Sequence, residues 1–136
     1  SQIVPGPNPF PGTAARDAEY NTPGVRHVAL HHLKDVLWVY YSNIGDAPER
    51  ILRCQIRLTE DWNAWATSSP EEVLRPQTSA EGTDLPIRKS TSGAAKGREH
   101  ALRDPAIFED ADGKVYLLYS VAGESGIGIA ELRSKK

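Results

Sequence analysis

Three quarters of the way along the sequence, a pattern of apolar residues met earlier starts again. Arg103-Asp104-Pro105-Ala106-Ile107-Phe108 lines up with Arg26-His27-Val28-Ala29-Leu30-His31 at an offset of 77 residues, and Tyr116-Leu117-Leu118-Tyr119-Ser120 lines up with Trp38-Val39-Tyr40-Tyr41-Ser42 at 78. The one-residue slip falls at Asp110-Ala111-Asp112-Gly113, which has hairpin-turn chemistry. Gly123-Glu124 then matches Gly45-Asp46, and Gly126 to Leu132 matches a third run. A repeated strand triplet marks propellers and arrays, because one such unit cannot bury its apolar face alone and needs a neighbour to cover it.

Each run has strand composition. Arg26 to Leu33, Val36 to Ser42 and Arg50 to Leu58 are rich in Val, Ile, Leu, Tyr and Trp, and Gly45-Asp46-Ala47-Pro48 supplies a turn between the second and third. A short fourth strand is expected over Glu72 to Leu74. The second copy has none, since the sequence ends at Lys136 soon after its third run. These patterns predict an all-β chain of two propeller-type blades, antiparallel meanders at 25–75 and 99–136, the second lacking its outer strand. Residues 1–24 hold Pro5, Pro7, Pro9, Pro11 and Pro23 and read as an extended arm, whose Ile3-Val4 could add as an edge strand. Residues 76–98 scatter Gly, Pro, Ser and Thr around Leu85-Pro86-Ile87 and read as a long connecting loop.

Composition narrows the function by exclusion. With 16 Lys and Arg against 18 Asp and Glu, the formal charge of −2 gives no basic field for nucleic acid. No apolar run reaches the roughly 18 residues that span a membrane, and no basic-then-apolar leader is present, so a soluble protein is expected with no compartment named. Cys54 alone makes neither an intramolecular disulfide nor a zinc site; set in Arg53-Cys54-Gln55-Ile56, it reads as a buried thiol. His31 and His32 point to opposite faces of one strand, which argues against a shared metal. Gly123 to Gly128, with no helix following, is not a phosphate loop. Trp62 and Trp65 fit packing better than sugar stacking. No metal and no cofactor are expected.

Leu102-Arg103-Asp104-Pro105-Ala106-Ile107-Phe108, followed by the Asp112-Gly113 hairpin and the aromatic strand at Tyr116, resembles the blades of the five-bladed propeller glycosidases: arabinanases, xylosidases, invertases and levansucrases. It is also similar to the C-terminal blades of glycosidase-like bacterial proteins of uncharacterised activity, which continue as Tyr119 to Ile127 do here. The resemblance implies a carbohydrate-associated, glycoside-hydrolase-like fragment of a propeller. Asp104 would stabilise the transition state or tune the acid, and Arg103 would orient it or contact sugar. Glu81, in Glu81-Gly82-Thr83-Asp84, resembles the Glu-Gly-Pro that carries the general acid in some members, with Thr83 in place of Pro and with the Glu before the Asp-Pro blade instead of after it.

Glycoside hydrolysis needs two carboxyl groups flanking the sugar. Blade-opening strands line the central channel of a propeller, so the equivalent Asp104 and His27 should share one cavity. Arg26, His27, Arg103 and Asp84 are the candidate substrate contacts. No third blade-opening Asp is present to act as base, so one chain holds an incomplete catalytic set. The rival reading is a non-catalytic module that oligomerises or binds some other small molecule. Uncovered blade faces and edges predict a homo-oligomer, a two-fold dimer first.

Overall fold

The computed structural model describes residues 1–7, 9–10 and 24–133. The part of the expected arm at residues 8 and 11–23, and the last three residues, lie outside them. Among the described residues, seven strands form two antiparallel sheets. The first sheet contains β1 (Gly24–Leu33), β2 (Val36–Ile44), β3 (Ile51–Arg57) and β4 (Glu71–Leu74) in sequential order; the second contains β5 (Arg103–Glu109), β6 (Val115–Val121) and β7 (Gly126–Leu132). Two short 3-10 turns, Trp62–Ala64 and Ser79–Glu81, are the remaining regular elements, with no α-helix among the described residues. Among the described residues no helix is long and apolar enough to cross a membrane.

Strand alternation sorts the sheets' side chains. In the first sheet Ala29 pairs with Tyr40 and His31 with Trp38, and this front face meets the second sheet. Ala29, Tyr40 and Ile51 pack there with Leu102, Leu117 and Tyr119, and Ile107, Ala130 and Leu132 border them. On the opposite face Val39, Tyr41, Leu52, Cys54 and Ile56 form a second cluster. It is covered by Phe10, Leu58 and Trp65. Phe10 meets Tyr41 edge-on at 5.5 Å between ring centroids.

The arm docks through Pro9 and Phe10, with Thr67 N–H donating to the Pro9 carbonyl at 3.1 Å. Ile3 and Val4, expected as an edge strand, are in no strand and are 89% and 63% exposed. Pro5 and Pro7 follow at alternate positions and cannot donate ladder hydrogen bonds, which accounts for the difference.

Both opening strands are bulged at equivalent places. The β1–β2 register shifts between Arg26 and Ala29, and the β5–β6 register shifts between Arg103 and Ala106. Each bulge holds a non-glycine residue in the left-handed region, His27 at φ 39° and Asp104 at φ 52°. Such backbone costs of order 1 kcal/mol and persists only where the surroundings over-determine it. Bulges commonly re-aim side chains at strand ends.

Candidate functional site

The bulges rest on a buried charge cluster. Arg26 and Arg103, the equivalent residues of the two copies, are 6% and 1% exposed and converge on Glu49, which is fully buried. Arg26 Nε lies 3.2 Å from one Glu49 carboxylate oxygen, and a terminal nitrogen of Arg103 lies 3.1 Å from the other. Ser42 Oγ donates to Glu49 at 2.6 Å. Burial pushes the Glu49 carboxyl up, while Ser42 and the two guanidiniums pull it back. Arg103 also donates to Glu99 at 2.7 Å and to Glu124 at 3.3 Å. Arg26 also donates to the carbonyls of Thr91 and Gly93, tying the 91–93 backbone to the first sheet.

Over this base, His27 and Asp104 meet. His27 Nδ1 contacts Asp104 Oδ1, and Ser120 Oγ donates to Asp104 Oδ2 at 3.1 Å. A carboxylate only accepts, so the shared hydrogen comes from Nδ1, and a neutral imidazole then keeps its lone pair on Nε2. The pair lines a cavity of about 330 Å3 together with Arg26, Ser92, Gly93, Ala94 and Glu124. That volume is at the small end of the range for small-molecule sites. Ser92 Oγ is buried there with no hydrogen-bond partner among the described residues.

The remaining candidates lie elsewhere. Neither Glu81 nor Asp84 is among the residues lining this cavity. One Glu81 oxygen accepts from the backbone N–H of Gln77 (2.7 Å) and of Thr78 (3.2 Å), and the other accepts from Tyr119 Oη at 3.0 Å, so the side chain caps the 79–81 turn and pins it to β6. Asp84 accepts two bonds from Arg98, both at 3.0 Å, which hold its carboxyl below the usual carboxylate range. His31 lies 3.5 Å from Glu109, whereas His32 Nε2 bonds the Lys34 carbonyl at 2.7 Å. Trp65 Nε1 donates to the Thr59 carbonyl at 3.1 Å and its ring packs on the first sheet.

Sequence reasoning missed Glu49 and Glu124. Glu124 had a visible signal, since Gly123-Glu124 repeats Gly45-Asp46. Glu49 has no counterpart in the second copy; the only hint was indirect, two equivalent arginines on inward strands needing a counter-charge.

No family model matches this chain, and no solved structure matches it. It is 46% identical over 109 residues to an uncharacterized protein of Acanthamoeba polyphaga mimivirus, a stretch that makes up 79% of this chain and 30% of the viral protein. The chain therefore aligns with less than a third of that relative's length.

Proposed function

We propose that the chain is part of a propeller-type, glycoside-hydrolase-like protein and that the cavity around His27 and Asp104 binds carbohydrate. The observation that carries this reading is the pair of left-handed bulges, which aim polar side chains from equivalent positions of two repeats into one cavity. Strained backbone of this kind clusters at binding sites. Support for the propeller comes from the sense of stacking: the front of the first sheet meets the back of the second, the head-to-tail order by which blades succeed one another around an axis.

A carboxylate, an imidazole and buried hydroxyl and backbone groups suit a ligand dense in hydroxyl groups. Asp104 and Glu124 are the two carboxyl groups at the cavity, and Glu124 takes the place of Glu81, the general acid that the resemblance implies, as the partner of Asp104 in the carboxyl pair that glycoside hydrolysis needs. Arg103 acts from beneath, positioning Glu124, and Arg26 positions the 91–93 backbone.

Calorimetric titration with arabinose, xylose, fructose and their oligomers tests the proposal. Saturable binding to one member is expected, weakened about a hundredfold or more by Asp104→Asn, as is typical when a charged hydrogen-bonding partner is lost. No binding at millimolar concentration, or unchanged binding by the variant, overturns it. The non-catalytic assembly reading is favoured by one other observation: Phe108, Ile127 and Ile129 on the second sheet are 53%, 79% and 63% exposed.

A further inference from the structure

The segment that joins the two sheets encloses a second cavity, of about 360 Å3, lined chiefly by Leu85, Pro86, Arg88, Lys89, Arg98 and His100. All of its described lining falls between residues 85 and 101, so one stretch of chain shapes it, and it shares no lining residue with the His27 and Asp104 cavity. The stretch is fastened on both sides. Ser90 N–H donates to the Asp46 carbonyl at 3.0 Å and Ser90 Oγ to the Asn43 carbonyl at 3.2 Å, while His100 Nδ1 donates to the Leu85 carbonyl at 2.9 Å. A cavity built on anchored backbone loses little freedom when a ligand enters.

Its charge is one-sided. Arg88, Lys89 and Arg98 are cationic, and the acid of the lining, Glu99, is taken up by Arg103 at 2.7 Å. Acidic residues outnumber basic ones in this chain, yet among the described residues every arginine except Arg88 is ion-paired with an Asp or Glu. Lys89, beside it, has no carboxylate partner among them either. His100 adds a free ring atom: a carbonyl only accepts, so Nδ1 carries the hydrogen shared with Leu85, and Nε2 bonds nothing among the described residues.

We propose that this cavity binds a phosphate group, as the free ion or on a small organic molecule, with Arg88 and Lys89 as its charge partners. A guanidinium offers paired N–H groups to two oxygens of such a group, and an ammonium adds a point charge beside them. Leu85 and Pro86 give the lining an apolar part, against which the carbon skeleton of a phosphate ester can rest. The volume, toward the small end of the range for ligand sites, suits a phosphate with a few carbons attached.

Calorimetric titration with inorganic phosphate and with glucose 6-phosphate, in chloride buffer, tests the proposal. Saturable binding is expected; tighter binding of the ester assigns the site to an organic phosphate, and equal binding assigns it to the free ion. Arg88→Gln and Lys89→Gln should each weaken the binding about tenfold or more. Both residues are exposed, so the variants keep the fold. Lys96→Gln, at an exposed lysine of the same segment outside the cavity lining, should leave the affinity as it was. No saturable binding of either probe at millimolar concentration overturns the proposal, and so does an affinity unchanged by Arg88→Gln or by Lys89→Gln. An equal loss in Lys96→Gln overturns it too, since general attraction to surface charge would then account for the binding. None of these results bears on sugar binding at His27 and Asp104, which the titration with neutral sugars reads separately.

Discussion

Glu49 illustrates how much one side chain without a sequence signature can hold. It is the meeting point of a guanidinium from each sheet, so the two bulges that carry His27 and Asp104 share one anchor. Removing one member of a buried ion cluster leaves the others uncompensated, which typically costs about 3 to 5 kcal/mol. Glu49→Gln should lower the urea unfolding midpoint accordingly; a midpoint equal to wild type would show that the arginines are satisfied without it. Cys54 makes the opposite case, a residue with reactive chemistry and no access to it. It is 1% exposed and burial pushes its thiol up to about 11. Native protein at neutral pH should react with a disulfide reagent only at the rate at which it opens, and denatured protein at once.

At the scale of elements, the strands were legible in the sequence and the loop was not. Runs of Val, Ile, Leu, Tyr and Trp separated by turn residues set β1 to β7 to within two residues, because strand composition and turn chemistry are local properties. The bulges were not legible either. In β1, Arg26 and Ala29 are buried with two exposed residues between them, whereas in β5 Arg103 and Pro105 are buried and Ala106 is exposed, so the two bulges share a register shift and no common pattern of burial. Which residue would take left-handed backbone depended on Glu49 and could not be read locally.

The 76–98 stretch looked structureless because its order comes from distant partners: Glu81 on Tyr119, Arg98 on Asp84, His100 on the Leu85 carbonyl and Ser90 on the Asn43 carbonyl. Gly82 is part of the same fastening. At φ 97° it lies so close to the Glu99 carbonyl that an added Cβ would come within 2.2 Å of the oxygen. Gly82→Ala should therefore destabilise the protein by about 2 kcal/mol or more, from left-handed strain plus the clash. Glu81→Gln should cost about 1 kcal/mol, since an amide still accepts but bonds more weakly, and it should leave sugar affinity unchanged. Lost affinity with stability intact would return Glu81 to the binding machinery.

For the whole molecule, each of the two apolar clusters, the one between the sheets and the one on the far face of the first sheet, holds a tyrosine that titrates late. Tyr119, buried beside Glu81, and Tyr41, beneath Phe10, are both pushed up to about 12, chiefly by desolvation. The folded protein thus binds protons more tightly than the unfolded chain, whose phenols titrate near 10. Stability from these groups is full below about pH 10 and is lost as pH rises toward 12. Absorbance titration should show these two phenols ionising late, with Tyr119→Phe removing one of them; all phenols ionising together near 10 in folded protein would contradict their burial.

The stacking of the sheets also decides where a ligand can be held. Cavities among the described residues include the one between His27 and Asp104, one among Leu85, Arg98 and His100, and one between Trp38, Arg53 and Glu109. Of these three, the first alone receives equivalent residues from both repeats. Chemical-shift mapping during titration with the oligosaccharide that binds tests this most directly. The account predicts shifts in the His27 imidazole and in the amides of Ser92, Gly93, Ala94 and Asp104, with Leu85, His100 and Trp38 unmoved. Shifts confined to either of the other cavities would contradict it.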